Sequence, residues 1–473
     1  MKLVQHAQSI SFCLAAGIKG LLNGFESFKQ LEDGVYEMIH EAAREMLKTA
    51  LEELDGELLE SRPKQLAVVC FKTRTLITPF GDIEFKRRYY KDAVTGERRL
   101  LLDEALGLVH RQRLSPKMRA MAIELAPEMS YHQAAKVMEQ LAPHVSPMAV
   151  WTVIQEVGAC LEEQADVARQ EVFEDGFIPD GKREAKELNV EADGTFIRMR
   201  GGGKKEMKLI VAYEGKEQVN SSKSVPRYSL KGRRVITCMG SQEKVWEQAV
   251  AELARHWDLT RIQKCAVGGD GAAWPKAGCE YLPNASYHLD RYHLRKALTQ
   301  SLSHDVESHT AVTTAIASGN LDCTKQALID AAGKSSDRER KAVNELTNYI
   351  LNNWEGIQNS ESTKNLGAIE GQVYHQIAAR MKRRGASWSE DGAKHMGRLL
   401  SSRANGELDL VANVEPVKRP KQTIRTYRAK IAPNKLDSGE WLKAHMPCLI
   451  GPSAGSPWVK YVMKNLACAG AWF

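Results

Sequence analysis

No stretch of this sequence approaches the roughly 20 consecutive apolar residues that a membrane-spanning helix needs. The modest apolar run at 9–18 follows Lys2, but it is short, leads into Lys19 and Gly20, and has no small-x-small cleavage pattern. A secreted or membrane-anchored protein is therefore not expected; a cytoplasmic one is. The nine cysteines are scattered and none forms a CxxC pair, which argues against a zinc ribbon or a disulfide framework and for reduced thiols. Neither sign of charge dominates, since 66 Lys and Arg stand against 59 Asp and Glu for a net +7. That balance permits a polyanionic partner without demanding one, so local clustering has to decide. What is present is ordinary for a globular chain: 43% hydrophobic, 26% charged, and at 473 residues room for two or three domains.

The texture changes several times along the chain. Over 25–60, Leu31, Val35, Met38, Ala42, Met46, Ala50, Leu54 and Leu58 recur at helical spacing, which predicts a packing or dimerisation helix. Residues 65–102 turn to β: two strand-like runs at 66–71 and 75–78, a turn at Pro79-Phe80-Gly81-Asp82, and a strand at 83–90 carrying Lys86, Arg87 and Arg88. Helical texture returns at 115–158. There 131–141 and 149–157 are separated by a break, with Ser146 as N-cap and Pro147 at the first helical position. This pair suits a helix-turn-helix that reads DNA, and equally suits plain packing.

A charged segment at 170–187 reads as a linker. Strands are expected at 190–199, 207–213, 235–239, 263–267 and 285–289, with an amphipathic helix at 241–257, so a mixed α/β sheet follows. Residues 292–353 are helical and polar, and another helix spans 368–384. Residues 415–435 are basic and proline-interrupted, which fits an extended phosphate-tracking segment or a solvated linker. The resulting division is 1–62 (helical), 63–110 (β meander), 111–170 (helix-turn-helix), 188–291 (core strands), 292–360 (all-α insertion), 361–405 (core helix) and 406–473 (basic tail).

Four acids stand out by position. Asp193 falls inside a strand that should be buried, although Asp-Gly also marks hairpin tips. Asp270 ends a strand between glycines, where functional groups emerge in α/β sheets. Asp290 follows another strand; with His288 and His293 it suggests zinc, but no fourth ligand is evident. Glu370 shares a helical stripe with Val373, Tyr374, Ile377 and Met381, where a carboxylate needs a salt bridge, hydrogen bonds or a metal. Hard divalent cations take oxygen ligands, and a pair of them roughly 3.5–4 Å apart catalyses phosphoryl transfer.

The ordered segments EADGTFI, GDGAAW, LDRYHL and IEGQVYHQIAARMKRR followed by WS, with TPFGDIEFKRRYYKD and LLLDEALGL upstream, resemble the Mutator-type transposases of bacterial insertion sequences. The likeness covers most of 65–405. It implies an RNase H-like core, with Asp193 on the first strand, Asp270 just after the fourth, and Glu370 on a helix beyond an all-α insertion. Those three would be a catalytic Asp-Asp-Glu trio binding Mg²⁺ or Mn²⁺. Asp290 and His293 would support it. The implied partners are double-stranded DNA, as element ends and target, and further copies of the chain; no membrane is implied. Arg380, Lys382, Arg383, Arg384, Lys418, Arg419 and Lys421 are the candidate DNA contacts. Two other readings remain open: a nuclease that does not join strands, and a DNA-binding protein without catalysis.

Overall fold

The computed structural model describes residues 2–220, 227–362, 366–382 and 385–412. Helices α1 (Lys2–Leu22) and α2 (Phe28–Ser61) open the chain, the second capped by Ser27, which accepts the Gln30 N–H. Leu47, Leu51, Leu54 and Leu58 of α2 pack on Leu76, Ile83 and Phe85 of a meander formed by β1 (Leu66–Thr78), β2 (Gly81–Asp92) and β3 (Arg98–Arg99). Of the predicted helical stripe, Leu54 and Leu58 are thus used within the chain, joined by Leu47 and Leu51 from beside it, while Met46 is exposed. Phe12, Ile18, Leu22, Phe28 and Tyr36 at the other end are exposed.

The basic strand proves structural at two of its three positions. Arg87 is buried with its Nε 2.8 Å from Asp103, which also receives Arg74 at 2.7 Å. Arg88 pairs at 2.6 Å with Asp55 of α2, a carboxylate only 1% exposed. Asp103 belongs to the short α3 (Leu101–Ala105).

Helices α4 (Pro116–Leu125), α5 (Tyr131–Met138) and α6 (Pro147–Phe173) follow, each with a serine N-cap. Ser146 and Pro147 start α6 as expected. The helix then runs 27 residues and buries Val150, Val153, Ile154 and Val157 in the same core as the central sheet. This part of the chain is therefore joined to the core by a shared hydrophobic cluster. The expected linker begins inside α6, and its remainder packs on the core: Arg183 donates its N–H to the His256 carbonyl.

The central sheet contains β4 (Glu187–Arg198), β5 (Lys204–Tyr213), β8 (Arg234–Cys238), β9 (Lys264–Gly269) and β10 (Ala285–Leu289), ordered β10-β9-β4-β5-β8. Strand β5 runs antiparallel to both its neighbours, β4 and β8, whereas β9 runs parallel to β4 and β10 parallel to β9. A small hairpin of β6 (Gly215–Gln218) and β7 (Tyr228–Lys231) interrupts the order between β5 and β8. Both faces are apolar and both are covered. Val190, Ala192, Ile210 and Ala212 meet α7 (Gln242–His256) and the short α8 (Ala273–Lys276) and α9 (Gly278–Tyr281). Ile197, Met207, Leu209 and Val211 face the cluster containing α6.

After β10 the described residues up to Ser362 form α10 (Arg291–Leu302), α11 (Val306–Ala317), α12 (Leu321–Lys334), α13 (Asp337–Asn352) and α14 (Trp354–Ser362), with a hydrophobic core of their own. The chain returns to the sheet as one helical rod: α15 (Ile369–Gln372), a π-helical turn at Val373–Ala378, and α16 (Ala379–Met381). Helix α17 (Glu390–Ala404) then lies against α6, and α18 (Leu408–Ala412) ends the described part. Among the described residues no helix is long and apolar enough to cross a membrane.

Candidate active site

Strand register lines up three aspartates on neighbouring strands or just past their ends. On β4 and β9, Glu191 stands opposite Gly268; on β9 and β10, Gly269 stands opposite Leu289. Continuing both registers sets Asp193 beside Asp270 and Asp270 beside Asp290, on strands about 4.8 Å apart. Asp270 and Asp290 lie just beyond the C-terminal ends of β9 and β10, where backbone pairing stops, whereas Asp193 lies within β4, still paired with Leu209 of β5.

Their environments differ. Burial pushes the Asp193 carboxyl up to about 6; the Gly194 N–H, donated to it at 2.7 Å, opposes this, and the negative charge of Asp270 adds to it. Asp270 accepts the Ala272 N–H at 3.0 Å, so each aspartate is oriented by a backbone N–H one or two residues further along. Burial also acts to raise Asp290, but hydrogen bonds from His293 and the Tyr292 N–H outweigh it and hold the carboxyl below the usual range. The same contact, 3.1 Å long, raises His293, with the charges of Asp193 and Asp270 adding to the effect.

The loop bearing Asp270 is clamped by two phenols. Tyr287 accepts the Gly271 N–H at 2.9 Å, and Tyr349 of the helical insertion donates to the Asp270 carbonyl at 2.8 Å. Gly271 has φ +99°, and a Cβ there would sit 2.8 Å from the Tyr349 ring. Neither tyrosine is visible from the sequence, because each acts through the fold rather than through a motif.

Glu370 is in the first turn of α15 and is exposed. It lines a cavity of about 340 Å³ together with Glu191, His288, Asp290, Ser360 and Gly367. The expected stripe needs correction. The buried positions are Ile369, Val373, Ile377 and Met381, a spacing of four that the π-helical turn sustains, while Tyr374 is exposed. Glu370 therefore stands beside the apolar stripe rather than on it. Among the described residues no three His, Cys, Asp or Glu side chains are gathered closely enough to hold a metal ion, so Glu370 and the aspartates are not yet one ligand set. His288 is buried and shares a hydrogen bond with Ser286, and the grouping of His288, Asp290 and His293 considered for zinc is not assembled.

The candidate DNA contacts divide. Arg380 donates Nε to the Ala126 carbonyl, and its guanidinium lies 5.3 Å from the Tyr131 ring and 5.2 Å from that of Trp388, so it clasps α5 to the core instead of reaching outward. Lys382 bonds Thr195, two residues beyond Asp193, at 3.0 Å. Arg383, Arg384, Lys418, Arg419 and Lys421 lie outside the described residues, as do residues 415–435 and 438–473.

This chain belongs to the uncharacterised protein family UPF0236, whose model matches residues 21–419 and so spans the meander, the central sheet, the insertion and the Glu370 helix. It is similar to the UPF0236 protein TTE2489 of Caldanaerobacter subterraneus subsp. tengcongensis, at 31% identity over 394 residues, 82% of this chain and 80% of that protein. A second relative from the same organism is 30% identical over 413 residues, 85% of this chain and 84% of the relative, and its name joins eleven locus designations, from TTE0033 to TTE2212. A UPF0236 protein in the vanSb 3′ region of Streptococcus gallolyticus is 25% identical over 401 residues, 82% of this chain and 85% of that protein.

Proposed function

We propose that this chain is a DNA transposase of the insertion-sequence type, resembling the Mutator group, which cuts and joins strands with Mg²⁺ or Mn²⁺ held by Asp193, Asp270 and Glu370. The observation that carries the reading is the parallel register of β4 and β9, which continued by two residues sets Asp193 beside Asp270, with Glu370 lining a cavity beside Asp290 after an all-α insertion. Three antiparallel strands followed by two parallel to the first, in the order found, support an RNase H-like core. The relative whose name joins eleven loci of one organism fits a gene that multiplies within a genome.

The donor set suits a hard divalent ion: oxygen ligands, and a buried carboxyl whose charge is unfavourable beside Asp270 until a cation neutralises it. Such an ion supplies polarisation of a phosphodiester oxygen and a more acidic attacking hydroxyl. The chain's own residues do the rest. Tyr287 and Tyr349 fix the Asp270 loop, and Asp290 orients His293 and favours its protonated form, the form suited to a phosphate. Water, and then a freed 3′-hydroxyl, would be the attacking groups. Two DNA ends must be held together, so at least two copies act, with the exposed apolar residues of α1 and α2 as the candidate contact.

The open arrangement around Glu370 favours one second reading, a DNA-binding protein that does not cut. A joining assay separates them: DNA carrying the flanks of the chain's own reading frame is incubated with a target plasmid and Mg²⁺. Wild type should yield joined products, whereas Asp193→Asn and Asp270→Asn should bind the DNA and join none of it. Cleavage without joining would make the chain a nuclease; binding alone by all three proteins would make it non-catalytic.

A further inference from the structure

Glu191 is an acid in the middle of a buried strand, 2% exposed, and among the described residues neither lysine nor arginine is one of its hydrogen-bond partners. A buried carboxylate without a counter-charge is costly unless its oxygens are filled by donors. Here they are. The Tyr213 hydroxyl donates to Oε1 at 2.5 Å, and three successive backbone N–H groups from across the fold complete the set: Gly367 at 2.7 Å, Ala368 at 3.0 Å and Ile369 at 3.4 Å. Gly367 has φ +103°, which turns these N–H groups inward as a nest at the start of the helical rod, where the helix dipole also favours an anion. Lys216 steadies the same approach by donating to the Leu366 carbonyl at 3.1 Å.

The next residue after Ile369 is Glu370. Side chains alternate along a strand, so Glu191, Asp193 and Thr195 share one face of β4, at steps of about 6.6 Å. The rod is tied to that face at both ends: Glu191 holds its N-terminus, and Lys382 reaches Thr195 from its C-terminus. Asp193 lies between the two ties.

We infer that Glu191 is a positioning residue, whose buried carboxylate fixes the N-terminus of the Glu370 helix over the strand that carries Asp193. It rests on the proposed metal site. With four donors on its two oxygens, Glu191 has little capacity left for an ion; its role is to set where Glu370 stands. Partners that orient a ligand in this way commonly change metal affinity by about 10–100-fold when altered.

The test uses the full chain as wild type, Glu191→Gln, Tyr213→Phe and Glu370→Gln, with Mn²⁺ alone as the probe. Hydrogen exchange is followed at residues 366–372, and Mn²⁺ binding by titration. Glu191→Gln should speed exchange at 366–372 by about tenfold, because the acceptor is weakened from charged to neutral. It should also weaken Mn²⁺ binding toward that of Glu370→Gln, with the global unfolding midpoint little changed. Tyr213→Phe, which leaves the carboxylate but removes one donor, should move both readouts in the same direction by less; it serves if the glutamine variant does not fold. Unchanged exchange at 366–372 would overturn the inference, and so would lost protection with wild-type Mn²⁺ affinity, since the contact would then be structural only. A wild-type chain that binds no Mn²⁺ would contradict the metal site itself and take this role with it, whatever the exchange shows.

Discussion

Asp193 carries the clearest conflict between a residue and its surroundings. Its carboxyl is raised to about 6, mainly by burial, so the folded chain holds that proton more tightly than the unfolded chain does. A raised carboxyl contributes stability at low pH, and the contribution is lost as pH rises through about 6. Metal-free Asp193→Asn should therefore be more stable than wild type by about 1–3 kcal/mol at pH 7.5, and nearly equal to it at pH 4, in urea denaturation. Equal midpoints at both pH values would remove the conflict on which the proposed ion site depends. Asp193 and Asp270 were legible in the sequence because an acid flanked by glycine at the end of an apolar run is a local signal. Glu191 was not, since the amides that explain it lie 176 residues further along the chain.

At the scale of elements, the strands and long helices were readable from periodicity and caps; Ser146 and Pro147 mark the start of α6 in the sequence as they do in the fold. Two things were hidden. The helix bearing Glu370 does not keep the ordinary period: its π-helical turn spaces the buried residues four apart, which moves Glu370 off the stripe that a 3.6-residue period predicts. The second is the close crossing of α6 and α17. A Cβ on Gly158 would lie 2.2 Å from Cβ and 2.6 Å from Cα of His395, so glycine is required there by contact. Alanine would gain about 1 kcal/mol in helix propensity but force the two backbones apart, a larger cost of about 1–3 kcal/mol or more. Gly158→Ala should lower stability by about 1–2 kcal/mol in the same denaturation experiment; a neutral or stabilised variant would show that the helices pack less closely than described.

The chain as a whole joins a helical and β N-terminal part to a mixed sheet through one shared core, and inserts a helical unit between the fifth strand of that sheet and Glu370. The insertion is tied to the proposed site at two points in its last two helices. Tyr349 clamps the Asp270 loop, and Ser360 donates to the carbonyl of Leu289, the residue before Asp290. In the transposase proposed above, such a unit would couple DNA binding to the carboxylates, which among the described residues are not gathered into one ligand set. No single residue or motif could reveal that arrangement, because it arises from strand order and register.

The central claim, that Glu370 completes a metal-dependent site for cutting DNA, is tested most directly by one cleavage assay. Wild type and Glu370→Gln are compared on the DNA flanking the chain's own reading frame, with Mg²⁺ as the added cation. The account predicts cuts at defined positions that leave 3′-hydroxyl ends, a requirement for the cation, and a loss of at least about 100-fold in the variant with DNA binding retained. Equal cleavage by both proteins, or specific binding with no cleavage by wild type, would contradict it.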